Sequence, residues 1–139
     1  MPRINHVAVW NSNEKNAYLF YRDIIGFEYL YEFHATKKVV EDIFALKQPM
    51  NILVFGNKET KIEIFINDIK PYPRHPVNHI CFEVEDALAV YRKTEKMGLP
   101  RKIIKRERHE IIFIKDFDGN LFEIKSIGSE EIKEHSFAK

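Results

Sequence analysis

Apolar and polar residues alternate in several short runs of this chain, which is the pattern of β-strands with one buried face. Two of these runs open alike, with INHVAVW at residues 4–10 and VNHICFEVE at 77–85, and each carries an Asn-His pair. The remaining predicted strands cover residues 27–33, 51–56, 61–66, 101–107, 110–116 and 120–126. The DFDGN segment between the last two is typical of a tight turn.

Each Asn-His strand is followed by a segment with the periodicity of a helix. Asn11 or Ser12 can cap the first helix, and Asp86 can cap the second. Both patterns end at a glycine, Gly26 and Gly98, as expected for a left-handed C-terminal cap. The positions that recur at i, i+3, i+4 and i+7 are Ala17, Phe20, Tyr21 and Ile24 in the first helix, and Ala87, Val90, Tyr91 and Thr94 in the second.

The predicted elements therefore form one β-α-β-β-β unit that occurs twice, and the fold class is α+β. Module one covers about residues 1–70 and module two about 76–127, with the Pro-rich KPYPRHP segment between them. A chain of 139 residues is large enough to bury a core as a single domain without disulfides. A polar, weakly helical tail follows Ile127.

The two modules differ by an insertion in the first, at residues 34–50. Val40, Ile43 and Phe44 predict a short extra helix in this insertion, ended by Pro49. The insertion either shapes a pocket or is a surface excursion, and the pattern alone leaves both interpretations open.

Composition and charge restrict the partners and the cellular compartment that can be expected for the protein. A formal net charge of +1 provides no strong field for nucleic acid or an anionic membrane. The single cysteine, Cys81, excludes an internal disulfide and a multi-cysteine zinc site, and we interpret it as a small buried filler. With no signal peptide pattern and no long apolar run, we expect a soluble cytoplasmic protein that binds neither membranes nor nucleic acid.

Strand alternation places four ionisable side chains on the face opposite the helices, each in the middle of its predicted strand. They are His6, Glu63, His79 and Glu123, one His on the first strand and one Glu on the last strand of each module. Any one alone would be read as a polar residue on a solvated sheet face. Four at matched positions favour a metal site. Two imidazoles and two carboxylates make an N2O2 ligand set for a divalent transition metal such as Ni, Co, Zn, Mn or Fe.

The segments NHVAVW, AYLFYRDIIGFEYL, KIEIF, NHICFEV and FIKDFDGNLFEI resemble the vicinal-oxygen-chelate superfamily. That superfamily includes glyoxalase I, methylmalonyl-CoA epimerase, extradiol dioxygenases, and fosfomycin and bleomycin resistance proteins. The resemblance implies that the two modules form a cupped mixed sheet with the helices on its convex face and the metal in the cup. It also implies a homodimer, and it assigns the metal to His6, Glu63, His79 and Glu123, with no separate organic cofactor.

A ligand at the Glu63 position is similar to glyoxalase I and the epimerase rather than to ring-cleaving dioxygenases. The resemblance then implies a glyoxalase I-like (lactoylglutathione lyase-type) enzyme that abstracts a proton next to a carbonyl through a metal-bound enediolate. The substrate would be an oxygen-rich small molecule, with Glu123 as the first candidate for the base and Glu63 as the second. EIFINDIK after the strand glutamate and NSNEKN after the first strand depart from the glyoxalase I pattern.

Two alternatives stay open. One is an Fe(II) extradiol-type dioxygenase that uses His6, His79 and Glu123 as ligands. The other is a metal-free drug-binding protein of the bleomycin-resistance kind, whose aromatic surface comes from Trp10, Phe65 and Phe113.

Overall fold

Each half of the chain forms its own four-stranded sheet. The computed structural model describes residues 1–128, and the chain divides into one unit at Met1–Tyr72 and another that begins at Pro73. The first unit contains β1 (Val7–Asn11), α1 (Glu14–Ala17) with a π-helical continuation (Tyr18–Ile24), β2 (Glu28–Ala35), α2 (Lys37–Phe44), β3 (Met50–Gly56) and β4 (Lys61–Ile66). The second contains β5 (Ile80–Val84), α3 (Ala87–Lys96), β6 (Arg101–Lys105), β7 (Glu110–Lys115) and β8 (Leu121–Ser126).

The strand order is β1-β4-β3-β2 in the first sheet and β5-β8-β7-β6 in the second. In each sheet the first strand pairs in parallel with the last, and the other pairs are antiparallel. The α+β class and the two βαβββ modules predicted from the sequence are therefore confirmed. The predicted tail after Ile127 lies almost wholly outside the described residues.

The helix boundaries follow local signals with a few shifts. Asp86 caps α3 as predicted, whereas the cap of α1 is Asn13, whose side chain accepts from the amide of Asn16 at 2.9 Å, and not Asn11 or Ser12. Gly26 and Gly98 both adopt positive φ, at 99° and 70°. These angles favour glycine because it has no Cβ to clash with the backbone.

Helix α2 confirms the extra helix predicted in the insertion, but its end differs from the prediction. The side chain of Thr36 accepts a bond from the amide of Val39 at the start of the helix. The helix ends at Phe44 because Ala45 turns into the left-handed region with φ 60°, several residues before Pro49. The left-handed cap thus ends this helix, and proline is not needed to end it.

Aromatic packing shows which face of the first sheet the helical segment covers. The rings of Tyr18 and Tyr21 lie 5.3 and 6.0 Å from the ring of Phe55 on β3. Phe55 pairs with Ile62 across the ladder, so both share the helix-covered face, and the next residue, Glu63, points to the opposite one. In the second sheet, α3 packs on β6, β7 and β8. Among residues 1–128, no helix is long and apolar enough to cross a membrane.

Candidate metal-binding site

In module one, His6 and Glu63 are held side by side by the parallel pairing of β1 with β4. Ala8 lies opposite Glu63 in this register, and His6 precedes Ala8 by two residues on the same face. The Nε2 atom of His6 is 3.4 Å from Oε1 of Glu63. The histidine side chain is 41% exposed and the glutamate side chain 16%, so a ligand can reach the pair from solvent.

Module two repeats this arrangement. Cys81 lies opposite Glu123 in the parallel pairing of β5 with β8, and His79 precedes Cys81 by two residues. The Nε2 atom of His79 is 3.8 Å from Oε1 of Glu123, whose side chain is nearly buried. The ring of Phe113, which lies opposite Glu123 on β7, contacts His79 edge-on at 5.2 Å between centroids.

Two expectations from the sequence are wrong in detail. Both histidines lie directly before their strands and not in the middle of them, because the parallel ladders begin only at Val7 with Ile62 and at Ile80 with Phe122. Cys81 is exposed, so it is not a buried filler. It lies opposite Glu123 on the ladder, on the face that carries the polar side chains.

The hydrogen bond at each Nδ1 fixes the tautomer of both histidines. The Nδ1 of His79 is 2.8 Å from the carbonyl oxygen of Val77, and the Nδ1 of His6 is 2.9 Å from the side-chain oxygen of Asn5. Both oxygens only accept, so each Nδ1 carries the hydrogen and donates it. The Nε2 is then the nitrogen that faces the glutamate, and in the neutral ring it is the atom with the lone pair that can bind a metal.

These bonds also explain half of the repeated Asn-His motif. Asn5 orients the ring of His6, which gives that asparagine a role in the site. His79 is held by the backbone carbonyl of Val77 and not by the asparagine side chain that precedes it. The backbone N–H of Asn78 donates to the carbonyl oxygen of His75 at 3.1 Å. The same two letters therefore serve different purposes in the two modules.

The chemistry of each pair fits a cation between its two atoms. In a neutral ring the imidazole Nε2 is an acceptor, as is the carboxylate oxygen 3.4 or 3.8 Å away, so the two atoms attract each other only when a proton or a metal ion lies between them. The four side chains predicted as ligands thus come together as two acceptor pairs, one in each module. Within residues 1–128, no group of three or more His, Cys, Asp or Glu side chains has the arrangement of a metal site.

Lys125 is a functional candidate that the sequence analysis missed. Its Nζ lies 4.0 Å from Oε2 of Glu123, and only 14% of its side chain is exposed. The available signal was its position two residues after Glu123, which places both side chains on one face of β8. Glu83 lies opposite Lys125 on β5, so charged residues continue along this face.

The chain belongs to the Glyoxalase/Bleomycin resistance protein/Dioxygenase superfamily, whose family model matches residues 3–124. This confirms the resemblance inferred from the sequence motifs. Among curated proteins, none matches the chain significantly.

Solved structures show the same fold. A glyoxalase family protein from Enterococcus faecalis is 27% identical, with a TM-score of 0.65 over 88% of this chain and 95% of that one. The trypanothione-dependent glyoxalase I of Leishmania major is 18% identical, with a TM-score of 0.68 over 99% and 94% of the two chains. A mutant of the fosfomycin resistance protein FosX from Listeria monocytogenes, in complex with Mn(II) and 1S,2S-dihydroxypropylphosphonic acid, is 20% identical, with a TM-score of 0.70 over 96% and 98%.

Proposed function

We propose that this protein is a metal-dependent, glyoxalase-like enzyme that abstracts a proton next to a carbonyl, with His6, Glu63, His79 and Glu123 as the metal ligands. The observation that carries the proposal is the repeated pairing of an imidazole Nε2 with a carboxylate oxygen at the same position of both modules. Membership of the superfamily and the Mn(II) in the related FosX structure support it.

A divalent cation bound to these side chains would act as a Lewis acid and stabilise negative charge on adjacent substrate oxygens. The protein's part is to keep the ligands in their binding form. Asn5 and the carbonyl of Val77 accept from the two Nδ1 atoms, so both imidazoles present Nε2 without rotation of the ring.

Glu123 is the first candidate for the base, and Glu63 is the second. The Glu123 carboxylate is nearly buried, and its two oxygens are differentiated, with Oε1 beside His79 and Oε2 beside Lys125. Oε1 faces the His79 nitrogen, and we assign the proton-accepting role to Oε2, which has Lys125 Nζ at 4.0 Å. A carboxylate in this role needs direct contact with the carbon acid, and losing a general base costs about 10²–10⁴-fold in turnover.

The first experiment measures metal binding. Protein purified without added metal is analysed for bound elements and then titrated with Mn²⁺, and we expect about one equivalent per chain. His79→Ala should weaken binding strongly, whereas His34→Ala, which removes an exposed histidine of β2, is the matched control. Unchanged affinity in His79→Ala would place the metal elsewhere.

The second experiment separates the ligand role from the base role. Glu123→Gln and Glu63→Gln are compared with the exposed control Glu28→Gln for metal content and for turnover at full metal occupancy. An amide oxygen can still coordinate, so we expect Glu123→Gln to keep much of its metal and lose turnover, with the milder loss in Glu63→Gln. Equal losses in the two variants would move the base to another group.

A substrate screen tests the alternative functions. We expect turnover of α-oxoaldehydes. The screen presents them with a range of thiols, so that it also identifies which thiol, if any, the reaction uses. Faster turnover of catechols with Fe(II) would favour the extradiol-type dioxygenase, with Glu63 dispensable. Tight binding of an aromatic drug with neither metal nor turnover would favour the binding protein.

A further inference from the structure

The residues that flank the two His–Glu pairs differ in chemistry although the backbone places them alike. In module one, the positions two residues beyond Ala8 and Glu63 are Trp10 and Phe65, which lie opposite each other on β1 and β4. In module two, the equivalent positions are Glu83 and Lys125, also opposite each other. Beyond the pair along these strands, His6–Glu63 is followed by two aromatic rings and His79–Glu123 by two charged side chains, while Phe113 contacts His79 from the neighbouring strand β7.

The inserted helix α2 extends this aromatic border. The ring of Phe44, the last residue of α2, meets the ring of Phe65 edge-on with their centroids 5.5 Å apart. Val40, one turn earlier on the helix, is fully buried and fixes α2 against the module. We call the three rings of Trp10, Phe65 and Phe44 the aromatic wall.

The aromatic wall is rigid on one side and open on the other. The indole Nε1 of Trp10 donates to the side-chain oxygen of Asn67 at 2.9 Å, which fixes the orientation of the ring. Phe44 nevertheless leaves 48% of its surface exposed, although a phenyl ring gains free energy when it is covered. Phe44 packs edge-on against Phe65, which lies two residues beyond Glu63 on the same face of β4, so the exposed ring of Phe44 provides an apolar surface on the side of the proposed ligands.

We propose that the aromatic wall binds an apolar, preferably aryl, substituent of the substrate, and that α2 is the specificity element of this enzyme. The inference rests on the proposed function in one respect, because it places the substrate oxygens at the His6–Glu63 pair. Binding of an apolar group to the aromatic wall does not itself require the metal. It assigns the insertion at residues 34–50 to the pocket and not to a surface excursion. Lys, Arg or His side chains are absent from the three positions of the wall, which disfavours an anionic group there.

The test uses two probes that share a chelating group and differ only in the apolar part. Benzohydroxamate and acetohydroxamate each offer two neighbouring oxygens, with a phenyl or a methyl substituent. Trp10 is the only tryptophan of the chain, so its fluorescence reports directly on the wall. Both probes are titrated into the full-length protein with Mn²⁺ and, separately, with EDTA.

We expect benzohydroxamate to bind about tenfold more tightly than acetohydroxamate, since the wall can cover part of the ring. Phe44→Ala should abolish most of that preference, and Phe44→Leu should keep part of it. The control is Val39→Ala, which removes an exposed apolar side chain on another side of α2 and should keep the full preference. Circular dichroism of each variant checks that the fold is intact.

The outcomes separate this inference from the proposed function. A phenyl preference that persists in EDTA and disappears in Phe44→Ala supports the aromatic wall even where no metal binds, in which case the metal proposal alone fails. Metal-dependent binding of both probes with equal affinity overturns the wall and leaves the proposed function standing. A preference that Phe44→Ala and Val39→Ala reduce equally, or no binding of either probe, also overturns it.

Discussion

Replacement of Asp116 should destabilise the turn that leads the chain into β8 and toward Glu123. Asp116 is only 2% exposed, and its Oδ1 accepts from the amides of Asp118 and Asn120, both at 2.9 Å. Its Oδ2 accepts from the side-chain amide of Asn120 at 2.7 Å. The same Asn120 accepts a bond from Arg74 at 2.9 Å, so the carboxylate lies at the centre of a small network.

The size of the effect follows from these three bonds. A hydrogen bond to a charged group contributes about 1.5–3 kcal/mol, and bonds to one carboxylate are not additive. We therefore expect Asp116→Ala to lower the free energy of unfolding by about 3 kcal/mol. Asp116→Asn keeps the oxygen that accepts from the two backbone amides but turns an NH₂ group toward the side-chain amide of Asn120. We expect this variant to lower the free energy of unfolding by about 1 kcal/mol.

Urea denaturation followed by circular dichroism gives the free energy and its denaturant slope for each variant. The control is Asp42→Ala, which removes an exposed aspartate paired with Lys38 at 3.0 Å on α2 and should cost less than about 0.5 kcal/mol. If Asp116→Ala costs no more than Asp42→Ala, or if Asp116→Asn is as damaging as Asp116→Ala, the turn does not depend on these bonds.

Four further outcomes can be checked separately. Lys125→Met should tighten Mn²⁺ binding about tenfold in a direct titration, because it removes a cation close to Glu123; weaker binding would contradict this. His109→Phe should raise the free energy of unfolding by about 1 kcal/mol in urea, since both ring nitrogens are buried and no described residue bonds them; a loss of stability would refute it. Burial, with the charge of Glu32, raises the pKa of Tyr18 above its ordinary value. The stability that the neutral Tyr18 side chain contributes is therefore complete below about pH 10 and is lost as the pH rises further. Thermal melts across that range should show that Tyr18→Phe loses less stability at alkaline pH than the parent protein. The homodimer expected from the family resemblance should appear in sedimentation velocity at micromolar concentration, and a lone monomer would exclude it.

The repeated modules could be predicted from the sequence because their signals are local. Asp86 caps a helix through a bond to an amide three residues away, and Gly98 ends the same helix through its own backbone angle. Strand alternation is local in the same sense, since it assigns each side chain to a face without knowledge of the partner strand. For that reason the two glutamates could be placed on one face of their strands, and the histidines, which lie directly before their strands, on the same face.

Features that depend on distant partners could not be predicted in this way. The strand start that leaves His79 outside β5 is set by the register with β8, which the sequence of β5 does not contain. The bond from His79 to the carbonyl of Val77 depends on the backbone path before the strand. The contact of Phe44 with Phe65 joins a helix and a strand that the insertion brings together, and neither segment's pattern specifies the other.

The two modules also show why candidate metal ligands are easier to infer from sequence than a substrate. Parallel pairing places the same positions beside each His–Glu pair, and backbone hydrogen bonds hold that register whatever side chains occupy those positions. Trp10 in one module can therefore correspond to Glu83 in the other, and Phe65 to Lys125, while the Nε2–Oε1 contact is kept in both. Repetition singles out the candidate ligands because they are the same in both copies. The positions that differ carry no such repeated signal, and only their contacts in the folded chain, such as Phe65 with Phe44 and Lys125 with Glu123, show what surrounds each of them.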